Sequence, residues 1–286
     1  MILKGQFPPI PTPFAEGEFS AGDMTDNLVR WNELPLAGYV VLGSNGEAPL
    51  LDEDERTAVI RTVRAGIRTG RKMIVGAGRE STRATNRSVK EAFALGADGV
   101  LIGVPTYYRP SMTQEALRAH YLRVADASEG PILLYSVPFF TGIPITPPLF
   151  AGLLAHERVI GIKDSSGDLA SLEGMLAAAA GHRRDLSVLV GNARILAEGL
   201  AAGASGAVLS VANVAARPCD EIARLVAAGD MARARELNDS IMPLISAVTR
   251  EHGSGGLKAA MDLLDFHGGD PRPPLMPADP EARVAI

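Results

Sequence analysis

The stretch Val159-Ile160-Gly161-Ile162-Lys163-Asp164, with the helical pattern Leu169–Ala180 just beyond it, carries the fold. Its apolar residues stand on successive positions, whereas a strand with one wet face alternates apolar and polar, so this strand is buried on both faces as in a parallel sheet. Moving outward, similar runs lie at 7–10, 39–42, 73–75, 100–104, 132–137, 188–190 and 207–209. Between them fall helical patterns. One opens on Asp52 as N-cap, with Glu53, Asp54 and Glu55 at the positive end of the helix dipole, and continues with an apolar stripe of Val59, Ile60, Val63 and Ile67. Ser81 caps the next, which stops at Gly96. Further patterns cover 113–127, 147–155, 193–202 and 218–228.

Eight strands alternating with helices, spaced about 28 residues apart, predict an α/β fold, the (β/α)8 TIM barrel. A doubly wound open sheet also alternates strand and helix, but no dinucleotide fingerprint follows the first strand. The expected division is a barrel over 1–225 and a C-terminal helical appendage over 226–286, with helical stretches at 230–250 and 256–266 and an extended, Pro-rich end.

Composition excludes several functions. Lys plus Arg number 28 against 33 Asp plus Glu, a net charge of −5 with no basic block, so no nucleic-acid partner is expected. No apolar run approaches the ~18 residues of a membrane span, and the first residues lack the apolar core of a secretory signal. Cys219 is the single cysteine, which fits a reducing, cytoplasmic setting. His120, His156, His182, His252 and His267 are dispersed without ligand spacing, so no metal site is expected and each reads as surface or structural. Gly76-Ala77-Gly78 lacks the rest of a dinucleotide motif and no P-loop is present, so no nucleotide cofactor is expected.

Only five residues are lysines: Lys4, Lys72, Lys90, Lys163 and Lys258. Four read as solvated charge. Lys163 ends an interior strand, at the face where barrels of this kind carry their active sites. Burial there disfavours the ammonium and favours a nucleophilic amine able to form a Schiff base with a carbonyl. A lysine reaching to the rim, or paired with Asp164, is the alternative. Other strand ends add to this. Gly43-Ser44-Asn45-Gly46-Glu47 is an anion cradle or a plain turn. Tyr135 is a proton relay or a core residue, and Tyr107 and Tyr108 share one loop. A lysine, a tyrosine and an anion-binding turn at one end of a barrel suggest covalent chemistry on an oxo acid.

Taken together, 43–47 (GSNGE), Tyr107-Tyr108, 134–138 (LYSVP), 161–168 (GIKDSSGD) and 203–214 (GASGAVLSVANV) resemble the dihydrodipicolinate synthase / N-acetylneuraminate lyase family of Schiff-base aldolases. The branch it looks most similar to is the 4-hydroxy-2-oxoglutarate aldolases, through these motifs and 247–262 (AVTREHGSGGLKAAMD). The resemblance implies Lys163 as the Schiff-base lysine and Tyr135 as the proton shuttle. Ser44 and Asn45 would bind the 2-oxo acid's carboxylate, with Ser44 linking the tyrosines by hydrogen bonds. It further implies that Tyr107 reaches a neighbour's site across a dimer interface, that Ser165 contacts the hydroxyl or the distal end of the substrate, and that the protein is a homotetramer of two dimers. No cofactor is implied, because the lysine iminium is the electron sink. One position departs. Synthases of the family carry an arginine in V-P-x-R-T-G, where this chain has Phe140, a residue suited to a less polar aldehyde or to packing at the barrel rim. The expected reaction is cleavage of 4-hydroxy-2-oxoglutarate to pyruvate and glyoxylate. Dihydrodipicolinate synthesis from pyruvate and aspartate semialdehyde is the alternative, and a ligand-binding barrel without catalysis a more distant one.

Overall fold

The computed structural model describes residues 1–286. Ten strands occur: β1 (Gly5–Gln6), β2 (Phe14–Ala15), β3 (Glu18–Phe19), β4 (Gly38–Val41), β5 (Lys72–Gly76), β6 (Gly99–Gly103), β7 (Ile132–Ser136), β8 (Val159–Asp164), β9 (Ser187–Val190) and β10 (Gly206–Ala207). β2 and β3 form an antiparallel hairpin, and the other eight make one sheet in the order β1-β10-β9-β8-β7-β6-β5-β4. The sheet closes through the first strip of chain. Gly5 donates to the Ser205 carbonyl (3.4 Å) on one side, while Val40 donates to Pro8 (3.0 Å) and Ile10 to Val40 (3.0 Å) on the other. The fold is the (β/α)8 barrel. Pro8 and Pro9 lack an N–H, which limits β1 to two residues and leaves only a parallel bridge from Pro9 to Val40 where the sequence suggests a strand over 7–10.

The chain divides into two compact units. One comprises Met1–Gly5 and Ile74–Val208. Its strands β6 to β9 pair in parallel, with Leu134 opposite Ile162 and Ile162 opposite Val188. Almost every residue of these strands is buried, as their unalternated composition requires. Four helices of this unit begin at a side-chain cap: Ser81 for Thr82–Ala94, Thr113 for Gln114–Ala127, Thr146 for Pro147–Leu153 and Asp168 for Leu169–Ala180. Such caps contribute about 1 kcal/mol each and set where a helix starts.

The other unit comprises Gln6–Met73 and Leu209–Ile286. Asp52 caps the helix Glu53–Gly66, and Glu55 reaches back to complete a capping box. The helix Ala21–Trp31, capped by Ser20, is absent from the patterns read in the sequence, although Met24, Asn27, Leu28 and Trp31 mark its buried face at helical spacing. Trp31 stacks on Phe266 at 5.5 Å and donates through Nε1 to the Asn213 carbonyl (3.0 Å). The C-terminal stretch is broken into Met231–Ser240, Met242–Ser246, a π-turn at Ala247–Glu251, and Gly253–Leu263, with Pro243 at the start of the second piece. The Pro-rich segment 268–280 is irregular apart from a turn at 273–275, and at its end Asp279 caps a last helix, Pro280–Ala285.

Candidate active site

Lys163 owes its setting to an irregularity in β8. Ile132 pairs with Val159 and Leu133 with Gly161, so Ile160 is the extra residue of a β-bulge. Bulges re-aim the residues that follow them. Gly161 makes this one possible: a Cβ there would lie 1.8 Å from the Ser187 carbonyl oxygen on β9, so no larger residue fits. Beyond the bulge the register is regular, and Tyr135 on β7 falls opposite Lys163. Lys163 is only 4% exposed, and its Nζ sits 4.2 Å from the centre of the Tyr135 ring. A cation over an aromatic face is attracted by about 0.5–2 kcal/mol, which holds the amine against the tyrosine.

The alternative pairing of Lys163 with Asp164 does not form. The Asp164 carboxylate accepts instead from the Ser166 N–H (3.0 Å) and hydroxyl (2.9 Å). Burial pushes the Asp164 carboxyl above the usual carboxylate range, and these hydrogen bonds oppose the rise. Ser165 donates its hydroxyl to the Gly191 carbonyl (3.2 Å) and its N–H to the Ser136 carbonyl (2.8 Å), an arrangement that ties the end of β8 to both neighbouring strands.

Tyr107 and Tyr108 are on the surface of this unit. Tyr107 is 79% exposed, its ring edge-to-face with that of Tyr108 at 5.0 Å. The loop is fastened by Glu80, which accepts from the Thr106 N–H (2.9 Å), the Thr106 hydroxyl (3.0 Å) and the Tyr107 N–H (2.9 Å). Phe139 and Phe140 lie on the short helix Pro138–Thr141, and Phe140 is 66% exposed. Its ring meets that of Phe139 edge-to-face at 5.1 Å. Past that helix, a Cβ on Gly142 would lie 2.7 Å from Nη1 of Arg109, so the guanidinium rests directly over this glycine.

Ser44 and Asn45 belong to the other unit, in the turn that follows β4. Gly46 donates to Gly43 (3.1 Å) and Glu47 to Ser44 (3.1 Å), while the Asn45 N–H donates to no carbonyl of the chain. The Asn45 side chain donates to the Ser210 hydroxyl, and the Thr12 hydroxyl donates to the Gly46 carbonyl (2.7 Å). Two residues other than glycine at the borders of the turn take left-handed backbone angles, Leu42 at φ 56° and Glu47 at φ 53°. Each such residue costs about 1–3 kcal/mol and persists only when its surroundings hold it.

What holds Glu47 was not legible. Its Oε1 lies 2.8 Å from Nζ of Lys258, and neither side chain has any exposure. Lys258 is therefore not the solvated charge its helical pattern suggested. It sits in the continuously buried run from Gly255 to Met261, donates also to the Asp270 carbonyl (3.0 Å), and lies 4.3 Å over the Phe14 ring. Burial lowers its affinity for the proton, and Glu47 opposes that shift. The Arg272 N–H donates to the second oxygen of Glu47 (2.7 Å), and the Arg272 guanidinium binds Glu55 through both nitrogens (2.5 Å each). The available signal was a lysine amid small and apolar neighbours, Gly255-Gly256-Leu257 before it and Ala259-Ala260-Met261 after it. Nowhere do three His, Cys, Asp or Glu side chains gather as metal ligands.

A parallel barrel with a buried lysine against a tyrosine at adjacent strand ends has the form of a small-molecule enzyme. The sequence matches the dihydrodipicolinate synthetase family over residues 3–286, and the chain belongs to that family. It is 33% identical over 279 residues to the 4-hydroxy-tetrahydrodipicolinate synthase of Thermotoga neapolitana, spanning 97% of this chain and 94% of that one. The synthase of the same name from Mycolicibacterium paratuberculosis is 35% identical, over 96% of this chain and 90% of its own. Among solved structures, dihydrodipicolinate synthase from Thermotoga maritima superposes with a TM-score of 0.94 at 31% identity, covering 99% of this chain and 95% of that chain. No helix of the chain is long and apolar enough to cross a membrane.

Proposed function

We propose that this protein joins or separates pyruvate and an aldehyde through a Schiff base on Lys163, with no cofactor. The observation that carries the reading is Lys163 itself, buried at the end of β8 with its amine against the Tyr135 ring. A buried amine without a carboxylate partner suits attack on the 2-oxo carbon of an acid. Water then leaves the carbinolamine, with Tyr135 carrying the proton between nitrogen and oxygen. The resulting iminium withdraws electrons from C3. In the cleavage direction the C3–C4 bond breaks, its electrons form an enamine, and Tyr135 takes the C4 hydroxyl proton as the aldehyde leaves. In the opposite direction the enamine attacks the aldehyde. Ser44 and the free N–H of Asn45 serve the substrate carboxylate, and Ser165, two residues beyond the lysine, serves the substrate's hydroxyl or distal end. Tyr107, exposed on one subunit, completes a proton relay in a neighbouring one, which requires an assembly of at least two chains.

Two aldehydes fit. The names of the relatives favour aspartate semialdehyde, making the reaction that of 4-hydroxy-tetrahydrodipicolinate synthesis. The second, cleavage of 4-hydroxy-2-oxoglutarate, is supported by the likeness of 43–47 and 247–262 to that branch; Phe140, exposed where the family's synthases have an arginine, offers no charge to the distal carboxylate of either substrate. Losing a charge-assisted hydrogen bond costs about 1.5–3 kcal/mol, or roughly 10- to 150-fold in affinity for a substrate with such a carboxylate. The Arg109 guanidinium over Gly142 offers another cation for the distal carboxylate of either substrate. The test is a panel of aldehydes supplied with pyruvate. Preferred turnover of aspartate semialdehyde selects the first reading, and preferred glyoxylate condensation the second. Failure to condense pyruvate with any aldehyde contradicts both and leaves a ligand-binding barrel.

A further inference from the structure

The turn that precedes Glu47 is held from outside the strand that delivers it. Its backbone leaves β4 through Leu42 and ends on Glu47, both in the left-handed region, where residues with side chains are seldom found. A glycine would adopt φ 53° without strain, so a glutamate there is retained for what its carboxylate does. That carboxylate is fully buried and takes one contact from each of two C-terminal segments. These are Nζ of Lys258 at 2.8 Å, on the helix Gly253–Leu263, and the Arg272 N–H at 2.7 Å. Lys258 is in turn fixed by the Asp270 carbonyl (3.0 Å), and Gly268 lets the intervening loop approach so closely that a Cβ there would sit 2.1 Å from the Lys258 carbonyl oxygen. Burying an ion pair is a poor route to stability alone, because desolvation offsets the attraction. A buried pair does fix one geometry, since a displaced carboxylate would leave the ammonium uncompensated.

We infer that Glu47 and Lys258 are positioning residues: their buried ion pair locks the Gly43–Glu47 turn so that Ser44 and the Asn45 N–H are set for the carboxylate of the 2-oxo acid. The inference rests on the proposed assignment of that turn to carboxylate binding. Neither residue touches the substrate. They act through the turn, so their loss changes pyruvate affinity more than the chemical step.

The experiment compares the full-length protein with Glu47→Gln and with the double variant Glu47→Gln/Lys258→Met. Pyruvate binding is read by ligand-observed NMR without reductant, and the Schiff base by borohydride trapping over a range of pyruvate concentrations. Thermal unfolding is followed in parallel. Glu47→Gln leaves Lys258 buried and unpaired, so its unfolding midpoint falls. The double variant removes both charges and regains most of that loss. The inference expects both variants to need at least tenfold more pyruvate for half-saturation in both readouts, with the trapping rate at saturating pyruvate within about threefold of the parent. A double variant with recovered stability and unchanged half-saturation would overturn it and leave the pair a purely structural one. A parent protein that binds pyruvate but is never trapped, while the variants bind less well, upholds the positioning role and removes the Schiff base. A parent that binds no pyruvate removes both.

Discussion

At the scale of single residues, the proposed chemistry depends on two side chains brought together by register and burial. Lys163 was recognisable because lysines are scarce in this chain and this one ends an apolar strand. Tyr135 was not decisive alone, since a tyrosine at a strand end is more often core. The pairing of Tyr135 with Lys163 across β7 and β8 settles their adjacency. Tyr135→Phe keeps the ring under the amine and removes only the hydroxyl. Its kcat is expected to fall by about 10²–10⁴, the range for a lost proton-transfer group, with KM for pyruvate changed by less than about threefold. Steady-state kinetics check this, and an unchanged kcat would assign the proton transfers elsewhere. Lys258 shows where reading by residue type fails. A lysine in a helical pattern is usually solvated, and only the small residues around it hinted that this one is buried against Glu47.

At the scale of elements, seven of the eight apolar runs overlap strands, β4 to β10, because a strand buried on both faces writes its burial into consecutive residues; the first run, 7–10, forms only a bridge. Caps are equally readable at Asp52 and Ser81, where one side chain sets the helix start. The bulge at Ile160 was not readable, since it arises from how two strands align and not from either alone. Nor was the β2–β3 hairpin, whose strands of two residues each are too short to carry a period. The bulge gives the next prediction. Gly161→Ala puts a methyl group against the Ser187 carbonyl, so β8 and β9 must part or the bulge must move. Either displaces Lys163 against Tyr135. The variant is expected to lose at least a hundredfold in kcat/KM and to unfold several degrees lower, measured by kinetics and by circular dichroism. Parent-like values in both would show that the close approach is relieved at no cost.

At the scale of the whole molecule, the closure of the sheet could be anticipated by counting eight strands, but the segment that closes it had to be seen. Pro8 and Pro9 donate no hydrogen bonds, yet their carbonyl and neighbours bridge to β4. Global stability carries a pH signature from His120, buried between the helices Thr82–Ala94 and Gln114–Ala127 and hydrogen-bonded through Nδ1 to the Thr82 hydroxyl (2.9 Å). Burial lowers its affinity for the proton below the ordinary value of 6.5. Below about pH 6.5 the unfolded chain therefore binds more protons than the folded one, and stability falls as the pH is lowered. Urea midpoints between pH 8 and pH 5 should show this decline, less steep in His120→Gln. Equal slopes would mean that this histidine takes up its proton as easily folded as unfolded.

The proposed chemistry requires a covalent bond between pyruvate and one lysine. Incubation of the intact protein with pyruvate and borohydride, followed by mass measurement and peptide mapping, tests it directly. A single reduced pyruvate adduct per chain, located on Lys163 and absent from Lys163→Ala, is the predicted result. No adduct, or one that persists in Lys163→Ala, would contradict the assignment of the chemistry to this residue.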